Sequence, residues 1–275
     1  MAASLTWYMA QPTLCRRIVA LVLGCQLATT AAGAVSLQSH RAVYDLSLES
    51  AESASGVAAL DGRLVAEWQD GCDGYVFNQR NVTRLHYQDG EEYLSDYRVA
   101  TWEARDGLAM RFDVEDRLDG EPIERFRGQA RLVARGGAGE VVFNDPAETR
   151  PLELSPGTIF PSELTEAVLR EAGRGTRYMH YRLFNGTGPE GVYEVSVFVT
   201  ALYAAADAEV RPLLSGVASW RLHLAYFTEP GGGLPEYELG FRVYANGIAT
   251  DFEIDHGYFA VRGTLVELAP LPKIC

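Results

Sequence analysis

Residues 251 to 256, Asp-Phe-Glu-Ile-Asp-His, gather three carboxylates and an imidazole in one short run. Two chemistries use such a set: a hard cation held by carboxylate oxygens, or proton transfer between an acid and the histidine. In a strand, alternation would put Asp251, Glu253 and Asp255 on one face and Phe252 and Ile254 on the other. The EF-hand spacing is absent, and an acidic chain accumulates such runs, so the solvated polar face of a strand is expected. Gly186-Thr187-Gly188-Pro189-Glu190-Gly191 matches Gly-x-Gly-x-x-Gly. That fingerprint holds a dinucleotide where the glycines lead from a strand into a helix whose N-terminus meets the pyrophosphate. Here an alternating strand pattern follows, which makes the run a hairpin loop. His40, His86, His180, His223 and His256 show no paired spacing of a zinc site, and there is no Gly-x-Ser-x-Gly elbow. Lys273 is the only lysine, which removes the P-loop lysine, a pyridoxal Schiff base and the Ser-x-x-Lys motif. The chain reads as a non-enzyme with no catalytic residue, no metal and no cofactor.

The cysteines carry more. Cys15 and Cys25 fall in an N-terminal segment where Arg16-Arg17 precede an apolar run, residues 18 to 28, and Ala32-Gly33-Ala34 fits small-x-small cleavage. Residues 1 to 34 are thus expected to be a secretory signal, with Val35 the mature start of an exported chain. A competing reading takes Val22-Leu23-Gly24-Cys25 as a lipobox and Cys25 as a lipid anchor, although leucine two before the cysteine is atypical. Cys72 and Cys275 then remain, and in an oxidising compartment one bridge between them is expected, the alternative being a buried free Cys72 and an exposed Cys275. A bridge closing a loop of about 200 residues is worth on the order of 5 kcal/mol in the chain-entropy model. It would staple residues 35 to 275 into a single domain.

The elements that must position these residues read mostly as strands. Leu108, Met110, Phe112 and Val114 alternate with polar neighbours, and Tyr193, Val195, Val197 and Val199 do the same. Similar alternation runs through 41 to 48, 177 to 184 and 237 to 245. Asp89-Gly90, Asp106-Gly107, Asp119-Gly120 and Asn246-Gly247 mark tight hairpins. A dozen or so amphipathic antiparallel strands must hide one face, so the sheet should curl, close or be plugged. One helix is expected, 162 to 172, capped by Ser162, striped by Leu164, Ala167, Val168 and Ala172, stopped by Gly173, and laid on the concave face. Asp145 to Pro161 reads as an extended connection, and 204 to 216 and 229 to 235 as surface loops. The formal charge is -13. A field of that sign repels nucleic acid and anionic headgroups. No run reaches the roughly 18 to 20 apolar residues of a membrane span.

Four stretches resemble the EipB family, periplasmic cell-envelope integrity proteins of alphaproteobacteria: HRAVYDLSL (40 to 48), DGCDGYVFNQR (70 to 80), IFPSELTEAVLREAGRGTRYMHYRLFNG (159 to 186), and 237 to 275 from YELGFRVY to LPKIC. The resemblance implies an all-β fold, a many-stranded antiparallel β-spiral or open, barrel-like sheet with one helix packed on its concave face, broadly similar to the LolA and LolB lipoprotein carriers. It maps the family disulfide onto Cys72 and Cys275 and carries over no catalytic residue. It implies support of envelope integrity under stress, with a periplasmic tetratricopeptide-repeat envelope protein or lipoproteins as partners. A carrier reading adds a hydrophobic ligand or acyl chain in the concave sheet, and a scaffold reading replaces it with folded envelope partners. The chain departs from the family pattern at Asp255-His256-Gly257-Tyr258, where an aromatic more often precedes the glycine and an acid follows it.

Overall fold

Turn chemistry sets the path of the chain. At Asp119-Gly120 both residues are left-handed (φ 53° and 86°), the geometry of a two-residue type I′ hairpin, and Gly90, Gly107 and Gly247 supply the positive φ of the other expected turns. The structure is a computed structural model describing residues 35–144, 151–188, 191–205, 211–228, 233–272 and 274. The expected signal segment, 1 to 34, with Cys15 and Cys25, lies outside the described residues, as do Lys273 and Cys275.

The strands are β1 (His40–Ala51), β2 (Val57–Asp70), β3 (Gly74–Tyr87), β4 (Glu92–Ala104), β5 (Ala109–Leu118), β6 (Glu121–Leu132), β7 (Gly139–Phe143) and β8 (Leu152–Leu154), then β9 (Thr158–Ile159), helix α1 (Pro161–Gly173), β10 (Tyr178–Phe184), β11 (Val192–Tyr203), β12 (Ser219–Thr228), β13 (Tyr237–Tyr244), β14 (Ala249–Asp255) and β15 (Phe259–Pro270). They make one 15-stranded sheet in the order β8-β7-β6-β5-β4-β3-β2-β1-β15-β14-β13-β12-β11-β10-β9. Every pairing is antiparallel except β9 with β10. Strands β1 and β15 are joined in register, so the two meanders become one sheet whose edges are β8 and β9. Those edges are consecutive in the chain, separated by Ser155, Pro156 and Gly157. The sheet is therefore a nearly closed barrel whose seam is crossed by a short stretch of covalent chain. Side chains pack over the seam: Phe184 of β10 stands edge-on to Phe112 of β5 at 5.6 Å.

The expected extended connection before the helix is thus corrected, since its described part, 151 to 160, supplies both edge strands; 145 to 150 lie outside the described residues. The loop after β11 also does more than cover surface, because Leu214 is buried against Tyr244 and Ile248. Of the loop after β12, residues 229 to 232 lie outside the described residues, and Leu234 is exposed.

The helix keeps the expected stripe, with Leu169 added: Leu164, Ala167, Val168, Leu169 and Ala172 are buried. Leu164, Val168, Leu169 and Ala172 pack with Met179, Val195, Val197, Leu222 and Val243 of β10 to β13. Two end signals differ from expectation. Pro161 occupies the first turn, where its missing N–H costs nothing, so Ser162 lies inside the helix and Phe160 is the cap residue with no side-chain bond to offer. At the other end the helix runs through Gly173 and closes at left-handed Gly175 (φ 89°), whose N–H donates to Ala172 O while Thr176 N–H donates to Glu171 O.

Candidate functional site

A helix that starts without its own cap leaves backbone N–H groups to be met by something else. Here the partner comes from the sheet. Odd-numbered residues of β4 point inward, and Glu103, 4% exposed, reaches the start of α1. Its carboxyl accepts Ser162 N–H at 2.9 Å and Ser162 Oγ–H at 3.0 Å. Burial pushes the Glu103 carboxyl up to about 7; the two Ser162 bonds pull the other way, and nearby Glu163 and Glu166 add to the rise. Glu103 therefore holds the helix and changes charge near neutrality. Two neighbouring acids of α1 are also committed: Arg135 donates to Glu163 at 3.0 Å, and Tyr75 of β3 donates its hydroxyl to Glu166 at 2.9 Å. Burial, then Glu166, pushes the Tyr75 phenol up to about 12. Arg105 lies over the Tyr75 ring at 5.1 Å and binds Asp70 and the Gly71 carbonyl. The polar side of α1 is thus tied to β3 and β4 while its apolar side is sunk into β10 to β13.

The inner face beside this clasp has an unusual composition. Inward positions of β2 to β4 include Trp68, Phe77, Gln79, Asn81, Tyr97 and Val99, all only half-buried. The register puts Leu64, Asn81, Tyr97 and Asp116 side by side on neighbouring strands. Asn81 Oδ1 and Asp116 Oδ1 are buried without a hydrogen-bond partner, which is costly unless something else fills the role. Desolvation raises the Asp116 carboxyl above its usual range, and burial pushes the Tyr97 phenol up to about 12 with Asp116 adding to it. Across the interior stand Tyr226 and Tyr237, stacked at 4.3 Å, with Tyr193 edge-on to Tyr226 at 5.7 Å. The arrangement offers aromatic walls, acceptor oxygens and phenolic hydroxyls.

The residues singled out from sequence do not converge. In β14, Phe252 and Ile254 face the core, as alternation requires. Asp251 is exposed with left-handed backbone (φ 47°), and Glu253 lies 3.6 Å from Arg262. His256 is exposed at the surface, with its ring tilted against Phe259 at 5.1 Å; partial desolvation holds its imidazole below the usual range while Asp255 opposes the shift. Among the described residues no three metal-ligating side chains gather. His86 sits between Asp61 and Glu92, His180 on Glu194 and His223 near Glu238, each apart from the others. Gly186 to Gly188 form a loop between two strands, β10 and β11, with Asn185 Oδ1 accepting Thr187 N–H. Cys72 is exposed in the β2–β3 turn with a free thiol, which corrects the buried-Cys72 alternative. Its expected partner, Cys275, lies outside the described residues. Ile274 N–H meets Asp70 O at 3.4 Å, so the chain end runs beside that turn. Glu103 escaped sequence reading; the available signal was a carboxylate in phase with inward Val99 and Thr101.

A family model described as EipB-like matches residues 31–272. The cell envelope integrity protein EipB of Brucella abortus (strain 2308) is 35% identical over 247 residues, covering 88% of this chain and 87% of the relative. The crystal structure of a β-barrel-like protein of a domain of unknown function, also from Brucella abortus, superposes with a TM-score of 0.79 at 33% identity, covering 87% of this chain and all of the other.

Proposed function

The chain belongs to the EipB-like family, and we propose that it supports cell-envelope integrity and stress resistance from the periplasm as a non-enzymatic protein, exported by residues 1 to 34 and locked by a Cys72–Cys275 disulfide. The named relative carries the functional part of this reading. The bridge is supported by the hydrogen bond from Ile274 N–H to Asp70 O, which brings Ile274 next to the turn that presents Cys72. Its test is thermal unfolding of exported protein. Cys72→Ser should lower the midpoint, reductant should lower that of the wild type alone, and the loss should approach the roughly 5 kcal/mol of a long closed loop. Equal midpoints for oxidised and reduced wild type would reject a stabilising bridge.

A second reading, a carrier or chaperone for lipid or lipoprotein acyl chains, is favoured by the half-buried inward positions of β2 to β4 and the unpartnered oxygens of Asn81 and Asp116. An apolar wall with a few placed polar groups suits a ligand with a long apolar body and a polar end. Native mass spectrometry of protein purified without detergent separates the readings: a lipid-sized adduct supports the carrier, and the bare mass favours the envelope role through protein partners. For that case the exposed pair Tyr178 and Phe198, 5.0 Å apart on the outer face, offers a scaffold surface for a partner such as a tetratricopeptide-repeat envelope protein.

A further inference from the structure

The charge of the chain is not spread evenly. Outward-facing positions of β2 to β6 hold two adjoining depressions of 490 Å³ and 590 Å³, which share Asn78, Ala100 and Asp113. Register explains the hollow. Those three short side chains lie in one row across β3, β4 and β5, flanked by a row of Arg80, Arg98, Glu115 and Arg125 and by a row of Val76, Trp102, Arg111 and Gln129. The result is a groove running across the strands on the face opposite the inner chamber. Five guanidinium groups line it, Arg80, Arg98, Arg111, Arg125 and Arg127, against three carboxylates, Glu67, Asp113 and Glu115. With Asp96, which pairs with two of these arginines, the groove still holds one more cation than anions, in a chain of formal charge -13.

The arginines are arranged to leave donors available. Arg80 and Arg98 both bind Asp96, at 2.8 Å and 2.7 Å, two cations to one anion. Arg125 and Arg127 likewise share Asp113. Arg111 lies 4.2 Å over the Trp102 ring, and among the described residues no carboxylate pairs with it. Contact with the indole keeps the guanidinium over the groove, where its donors can meet a phosphate or carboxylate in the bidentate manner of arginine. The amides of Asn78 and Gln129 add neutral donors and acceptors beside that anion position.

We propose that this outer groove binds a sugar-borne anionic group, a saccharide carrying phosphate or carboxylate, with Arg111 taking the acid and the amides of Asn78 and Gln129 taking hydroxyls. The site is independent of the envelope-support reading and of any ligand in the inner chamber. The test is titration of the exported full-length chain in 150 mM salt, followed by NMR of the Trp102 indole N–H and arginine Nε–H signals. The probes are glucose 6-phosphate, glucuronate, glucose and inorganic phosphate. Saturable shifts with the two sugar acids, at least tenfold weaker with glucose and with inorganic phosphate, are the expected result. Arg111→Gln should weaken sugar-acid binding at least tenfold, while Arg63→Gln, on the same face but outside the groove, should leave it unchanged. Both changes are on exposed side chains, and an unaltered thermal midpoint checks that each variant is folded. Equal binding of inorganic phosphate would overturn the saccharide assignment. No shift with either sugar acid, or equal loss in Arg63→Gln, would overturn the site.

Discussion

Two stretches of the same sheet turn their inner faces to the same interior and end in different states. On β10 to β12, Val195 and Val197 are completely buried and Leu222 and Leu224 nearly so, all beneath α1. On β2 to β4, Phe77, Tyr97 and Val99 point inward just as regularly yet stay half-buried. A curled sheet makes more interior than one helix can occupy, because α1 is 13 residues long, about 20 Å by about 10 Å. The helix spends its apolar stripe on one half and meets the other with polar atoms: Ser162 on Glu103, Glu166 on Tyr75. Inward direction and burial are thus separable, and the proposed carrier role places its ligand against the half that lacks a covering element.

The largest expected effect tests that contrast with one chemical change made twice. Leu222→Ala in β12 removes a side chain 2% exposed and should cost about 3 to 4 kcal/mol, transfer plus cavity. Leu85→Ala in β3 removes an inward leucine that is only half-buried and should cost about 1 kcal/mol, since less area leaves water and the gap can fill with it. Urea unfolding of both variants gives the two numbers. Similar losses would mean that both halves are packed alike and would remove the argument for an open chamber.

The next effect concerns the clasp between the halves. The Glu103 carboxyl is raised by burial from an ordinary 4.5 to about 7 in the folded state. A raised carboxyl contributes its stability fully below the unfolded value and loses it as pH climbs through the folded value, so the loss falls between about pH 4.5 and 7. Integrated, this amounts to on the order of 3 kcal/mol. Glu103→Gln cannot ionise. Its stability relative to wild type should therefore rise from pH 5 to pH 8, by an amount approaching that figure, with the difference between the two proteins cancelling Asp116, His40 and His256. A wild-type-minus-variant difference flat in pH would show that the Glu103 carboxyl titrates alike in the folded and unfolded chain, so that burial does not raise it.

The packed half was legible in the sequence and the open half largely was not, for one physical reason. Period-two alternation reports a strand with one dry face, and Tyr193 to Val199 or Leu108 to Val114 display it cleanly. In β3 the run Asn78-Gln79-Arg80-Asn81 is polar on both faces, so periodicity falls silent where the inner face stays wet. The described residues form fifteen strands where a dozen or so were expected, the short β7, β8 and β9 being too brief to show a period. The four tight turns were readable because a positive φ demands a particular residue. Glu103 meeting Ser162 and the short edge strands β8 and β9 depend on how distant segments close the sheet, which no local pattern encodes.

The smallest expected effect discriminates most finely between a chamber that is merely loose and one that is used. Asn81 Oδ1 and Asp116 Oδ1 are both buried and unpartnered. Replacing an unsatisfied polar atom by an apolar group of similar size is close to neutral or stabilising, within about 1 kcal/mol. Asn81→Leu should therefore unfold at the same or slightly higher urea concentration if the inner face needs no polar partner for folding. In the carrier reading the same variant loses an atom that meets the polar end of a ligand. Its binding of a fluorescent fatty acid should then weaken several-fold while its stability is retained, because the apolar wall of Phe77, Tyr97 and Val99 is untouched. Unchanged dye binding with raised stability would make Asn81 a tolerated flaw of a half-filled barrel. A stability loss well beyond 1 kcal/mol would mean instead that its oxygen is satisfied in solution by ordered water, and the open half would be a hydrated core rather than a binding chamber.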